Sequence, residues 1–141
     1  QVLHEAGQAA LGEVFASRFA EIWGEDASEN MITFERERPG RAPVLLVVTA
    51  DLHPDHKVPL IEQQMSGGAL CMNLLNAAHA LGYVAQWLTE WPAFDEGVKK
   101  ALGHSADTEI IGFVYIGSAS TPPTERPRPA LETVVSEWTG A

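Results

Sequence analysis

The stretch EQQMSGGALCMNLLNAAHAL, Glu62 to Leu81, decides the fold. Met65, Ala69, Leu70, Met72, Leu74, Leu75, Ala77, Ala78, Ala80 and Leu81 cover more than one face of a helix, so this helix is expected to be buried nearly all round. Gly67, Gly68 and Ala69 strip side-chain bulk from one turn. A glycine costs about 1 kcal/mol relative to alanine in a helix interior. Two together predict close approach by another backbone or by a flat ligand. Gly82 is placed to end the helix. Its apolar residues exceed what one small domain can hide, which points to a second copy of the chain.

Outward from this helix, strands and helices alternate irregularly. Tyr83 to Thr89 reads as a strand, and Pro92 interrupts it. Phe94 to Leu102 is a short helix with Asp95 near its start and Gly103 at its end, and Glu109 to Gly117 is a further strand. Upstream, the unbroken apolar run from Val44 to Val48 suits a strand covered on both faces. Pro39-Gly40 breaks the chain before it, and Asp51 to Lys57 is a polar loop after it. Gln8 to Trp23 places Leu11, Val14, Phe15, Phe19, Ile22 and Trp23 at three- and four-residue steps, an amphipathic helix that Gly24 ends. Asp26 or Ser28 caps a second, shorter helix through Met31 and Phe34. Glu35, Arg36, Glu37 and Arg38 read as a solvated face, where ion pairs contribute little. Thr121 to Pro129 is an extended connector, and the tail Leu131 to Trp138 needs a docking surface. The class is α+β or α/β, in one domain over residues 1–141.

The chain has 141 residues and, with 9 basic against 19 acidic side chains, a formal charge of −10. That balance disfavours nucleic acid and anionic membrane as partners. The longest apolar run, Val44 to Ala50, is too short to span a bilayer. Cys71 is the one cysteine, so no intrachain disulfide forms and a reducing, cytoplasmic setting is expected. The chain opens on Gln1 and not Met, and helix follows almost at once. It is expected to continue from a longer protein.

Few constellations carry chemistry on their own. Asp51, His53, Asp55 and His56 could ligate a metal, but the spacing matches no zinc signature and a polar turn is the simpler reading. Cys71 reads as a buried structural thiol and His79 as a partly exposed helical residue. Trp87, Leu88 and Thr89 close a strand whose backbone could bond a planar heterocycle, with the Thr89 hydroxyl beside it. An aromatic core strand is the plain alternative. Arg126 and Arg128 flank Pro127 and suit a phosphate or carboxylate, or else belong to a solvated linker.

Several of these pieces occur together in one family. HKVPLIEQQMSGGA (His56 to Ala69), AAHALG (Ala77 to Gly82), YVAQWLT (Tyr83 to Thr89), IIGFVYIG (Ile110 to Gly117) and the preceding RAPVLLVV (Arg41 to Val48) together resemble the compact FMN-dependent nitroreductases. The resemblance implies an α+β sandwich, with a central, mostly antiparallel sheet flanked by helices. It implies a homodimer centred on the long helix, with FMN bound between the subunits. It assigns Trp87, Leu88 and Thr89 to FMN contact. It assigns Ala77, Ala78, His79, Ala80, Leu81 and Gly82 to the nicotinamide cofactor, and Arg128, with Arg126 beside it, to the FMN phosphate. The implied activity is two-step hydride transfer from NAD(P)H through FMN to a nitroaromatic or quinone-like acceptor, with no catalytic acid or base from the protein.

Two departures stand out. The family's opening arginine- and serine-rich FMN segment, and the Pro-Trp strand after it, do not occur in these 141 residues. Glu90 follows the Trp-Leu-Thr triplet where the family usually has glycine, so its carboxylate is expected to turn away from a reduced flavin. A dimeric flavin- or small-ligand-binding protein without turnover is the alternative, and a metal hydrolase built on the Asp51 loop is a weaker third reading.

Overall fold

The computed structural model describes residues 1–140. Four strands form one antiparallel sheet in the order β1-β2-β4-β3, comprising β1 (Val2–Leu3), β2 (Val44–Asp51), β3 (Val84–Leu88) and β4 (Thr108–Gly117). Helices α1 (Glu5–Trp23), α2 (Glu29–Glu37) and α4 (Glu96–Ala101) lie towards one face, and α3 (Leu60–Ala80) covers the other. A short helix, α5 (Leu131–Val134), follows the proline-rich connector.

Alternation along the two central strands builds a core on each face. Leu45, Val47, Phe113 and Tyr115 pack against Leu11 and Phe15 of α1 and Val98 of α4. Val48 and Val114 pack against Cys71 of α3, with Leu46, Ile116 and Trp87 beside them. The apolar run at Val44 is therefore covered on both faces, as expected. A bulge between Val48 and Thr49 skips Ile111 in the pairing. This shifts the alternation, so Ile110 joins the first core and Ile111 the second.

The termini of the elements show where periodicity is a poor guide. Helix α1 starts three residues before Gln8, because its first turn is exposed and carries no apolar signal. Ser28, not Asp26, caps α2 by accepting from the Met31 amide at 3.3 Å. Met31 and Phe34 are largely exposed. Asp95 caps α4 through the Val98 amide at 2.8 Å, which leaves Phe94 outside the helix and exposed. Gly82 takes a φ of 82° just past α3, and the Tyr83 amide reaches back to the Ala78 carbonyl at 2.9 Å.

One expectation needs correction, and two others are narrowed by what a single chain covers. Glu35 and Arg38 are not a solvated face, since both are buried; only Arg36 is exposed among ion-paired members of that cluster, bonded to Glu13. Helix α3 is not buried all round within one chain. Cys71 and Ala78 are its buried residues, whereas Ile61, Met65, Leu70 and Met72 are half exposed or more. At Gly67 the close approach is made by a side chain of β4 and not by a backbone. A Cβ on Gly67 would lie 2.7 Å from Ile111 Cγ1, and one on Gly68 would lie 3.6 Å from the Trp87 ring. The glycines let α3 settle onto side chains of β4 and β3.

Candidate functional site

Among the described residues, strand β3 lies at the sheet edge and pairs with β4 alone. Its outer backbone groups are therefore free for a ligand or another chain. Trp87 is half buried, and its Nε1–H donates to the Ile111 carbonyl at 3.1 Å. That indole is committed to the fold, so any ligand contact from this residue comes from its backbone. Leu88 turns to the opposite face and packs on the first core. Thr89 is half buried at the strand's end.

Two cavities flank the open end of the sheet and share Pro43, Gly117 and Ser118. The larger, about 490 Å³, lies at the C-terminal end of α3 and is lined by Ala77, Ala78, Leu81, Tyr83 and Ile116 among others. The smaller, about 290 Å³, is lined by Arg41, Gln86, Leu88 and Tyr115. Burial pushes the Tyr115 phenol above its ordinary pKa, partly offset by Arg38 and Arg41. Of the residues assigned to the nicotinamide, Ala78 is buried, while Ala77, His79, Ala80, Leu81 and Gly82 are exposed.

Arg126 and Arg128 are not built into either cavity. Residues 118–140 are all exposed, and Arg128 Nε bonds Glu125 Oε1 at 3.0 Å. In the Asp51 loop, Asp51 accepts from the Thr108 hydroxyl at 2.7 Å, the His56 ring accepts from the Val58 amide at 3.1 Å, and the His53 amide donates to Gln63 at 2.9 Å. The first is a contact between paired residues of β2 and β4, the second a turn contact, and the third ties the loop to α3. No group of three or more His, Cys, Asp or Glu residues among the described residues is arranged to hold a metal. No described helix is long and apolar enough to cross a membrane.

Beside the strand end lies a network that the sequence conceals. Arg38 pairs with both Glu90 and Glu35, the latter at 2.7 Å, and Glu35 also accepts from the Trp91 indole at 3.1 Å. Burial pushes the Glu35 carboxyl up, against the pull of Arg38 and Trp91. Glu90 thus turns towards α2, and among the described residues it is the one non-glycine with positive φ, 55°.

Comparison with known proteins fits this architecture. The Nitroreductase family profile matches residues 2–118. Escherichia coli YdjA, which bears an NAD(P)H nitroreductase name, is 36% identical over 96 residues, covering 65% of this chain and 50% of YdjA. The chain spans about half the length of the curated relatives it matches. A nitroreductase-like family protein from Bacillus cereus superposes with a TM-score of 0.76 at 15% identity, covering 99% of this chain and 72% of its own. The FMN- and NADPH-dependent nitroreductase NfnB from Sphigopyxis sp. strain HMH gives 0.68 at 16% identity, covering 99% and 78%. At such identities the superpositions establish the α+β sandwich alone. The profile, however, runs through β1, β2, α3, β3 and β4 without a break, and on that match this chain belongs to the nitroreductase family.

Proposed function

We propose that this chain forms part of an FMN-dependent NAD(P)H oxidoreductase that acts on nitroaromatic or quinone-like acceptors. The observation that carries the reading is the unpaired outer edge of β3 (Val84–Leu88), whose residues line the smaller cavity, with the mainly apolar groove at the end of α3 adjoining it through Pro43, Gly117 and Ser118. Apolar walls beside a strand with free outer backbone groups suit a flavin ring. When bound, FMN supplies two-electron hydride chemistry between NAD(P)H and the acceptor.

The protein's own part is binding and orientation. Backbone groups of Trp87, Leu88 and Thr89, with the Thr89 hydroxyl, hold the polar edge of the ring. Ala77, Ala78 and Ala80 keep the end of α3 low enough for a nicotinamide to approach, with His79, Leu81 and Gly82 at its rim. Arg128, with Arg126, holds the phosphate from the extended connector. No side chain is required as acid or base.

The reading includes a homodimer. Ile61, Met65 and Met72 present an apolar stripe on one flank of α3, with Leu70 exposed on the other, and burying such side chains stabilises by about 1.5–3 kcal/mol each when fully covered. Light scattering at micromolar concentration should give a dimer, and a clean monomer removes this part.

The experiment is an absorbance spectrum of the purified protein followed by NAD(P)H turnover with a nitroaromatic. Flavin bands with turnover are expected. Bands without turnover would leave a flavin-binding protein, and failure to bind added FMN would overturn the reading.

A further inference from the structure

The corner that follows β3 is held at two consecutive residues by one helix end. Glu90 has φ 55° and ψ −170°, a region that glycine occupies readily and other residues rarely. Its carboxylate meets Arg38 at the C-terminal end of α2. The next residue, Trp91, donates its indole N–H to Glu35 on the same helix. Arg38 joins the two by bonding Glu35 through its other terminal nitrogen. Glu35 and Arg38 are 4% and 8% exposed, so their half of the link is shielded from solvent, whereas the Glu90 side chain is 44% exposed. Arg38 Nε has no hydrogen-bond partner, which leaves the guanidinium held through its two terminal nitrogens, with the Phe34 ring 5.5 Å away. Trp91 is further fixed against Phe15, Phe19 and Trp23 at centroid distances of 5.5–5.9 Å.

We propose that Arg38 is a positioning residue: with Glu35 it clamps the Glu90 corner, and so sets the direction of the Thr89–Glu90 peptide at the ligand-facing end of β3. The ion pair does for glutamate what the missing side chain does for glycine. Without the pair, φ at Glu90 relaxes towards negative values and the peptide rotates, carrying the Thr89 carbonyl and the Glu90 N–H with it. This inference rests on the flavin reading for its ligand, but the clamp itself is a property of the fold.

Arg38→Met leaves Glu35 buried without its partner and is a poor probe, because such a protein can fail to fold. Glu90→Ala and Glu90→Gly are the informative variants. Both remove the ion pair, but only glycine tolerates the corner. With a role limited to charge pairing, parent and alanine variant would bind FMN alike, because both would carry the same unrelieved corner. Two readouts are taken on the full protein, FMN titration by fluorescence quenching and urea unfolding.

The alanine variant should bind FMN about tenfold more weakly than the glycine variant, since it must restore a strained corner on binding. It should also be less stable than the glycine variant by about fivefold in the folding equilibrium, after the greater chain entropy of unfolded glycine is allowed for. Equal losses in the two variants, or an alanine variant equal to the parent, would overturn the clamp. A parent protein that does not bind FMN would overturn the flavin reading. The clamp would then be judged on unfolding alone, supported by the same stability gap and overturned by its absence.

Discussion

Replacing Gly112 by alanine tests how β3 is seated on the sheet. A Cβ at Gly112 would lie 2.0 Å from Trp87 Nε1, 2.4 Å from its Cδ1 and 3.0 Å from the Leu88 carbonyl oxygen. No side-chain rotation of alanine relieves that overlap, so the indole must leave. Two costs follow. Overpacking of a filled core costs about 1–3 kcal/mol. Loss of the Trp87–Ile111 hydrogen bond adds about 1 kcal/mol. The sum, about 2–4 kcal/mol, corresponds to a fall in Tm of roughly 6–16 °C for a domain of this size. Gly40→Ala is the control, because nothing lies within 4 Å of its added Cβ and its φ is not positive. It should stay within about 0.5 kcal/mol of the parent. Thermal unfolding by circular dichroism measures both variants. The Trp87 indole N–H resonance, assigned by its loss in Trp87→Phe, reports whether the ring has moved. A Gly112→Ala protein as stable as Gly40→Ala, with that resonance unshifted, would refute the seating of Trp87 over Gly112.

Other perturbations address the ion pairs, the thiol and the phosphate site. The Arg18 guanidinium, bonded to Asp95 at 2.9 and 2.8 Å, holds that carboxyl below the usual aspartate range, with the Val98 amide adding to the effect. A depressed folded pKa means that its contribution is present above the unfolded value, about 3.9, and is lost as pH falls through the folded value. Asp95→Asn should therefore be less stable than the parent at neutral pH and converge with it in acid, as read by urea unfolding across pH. Burial pushes the Cys71 thiol up, so iodoacetamide should label it only on unfolding; rapid labelling of the native protein would contradict its place in the second core. Arg128→Ala should weaken FMN binding by about 10- to 150-fold, the equivalent of 1.5–3 kcal/mol for a charge-assisted bond, while riboflavin affinity hardly changes and Arg126→Ala loses less. Equal losses for both ligands would assign Arg128 to the fold.

Periodicity made the central strands and the long helices legible. Leu11, Phe15 and Phe19 sit on the buried stripe of α1, and the apolar run from Val44 is enclosed by helices on both sides. Other features had no local signal. Glu35-Arg36-Glu37-Arg38 has the alternating charge of an exposed helix face, yet Glu35 and Arg38 find their further partners 56 and 52 positions away. Only the three-dimensional fold brings Trp91 and Glu90 to them. The bulge at Ile111 and the seat of Trp87 over Gly112 are likewise tertiary facts. The all-round apolar character of α3 was legible, whereas how much of it one chain covers was not: Ile61, Met65, Leu70 and Met72 stay half exposed or more. The Trp-Leu-Thr triplet, by contrast, pointed to the end of a strand, and that is where it lies.

The central claim is that this member of the nitroreductase family uses FMN to pass electrons from NAD(P)H to a small acceptor. The most direct measurement is anaerobic titration of the FMN-loaded protein with NADH and with NADPH, followed in the visible flavin bands. The account predicts that at least one nicotinamide bleaches the bands and that a nitroaromatic or quinone then restores them. Bound flavin that stays oxidised in an excess of both nicotinamides would contradict it.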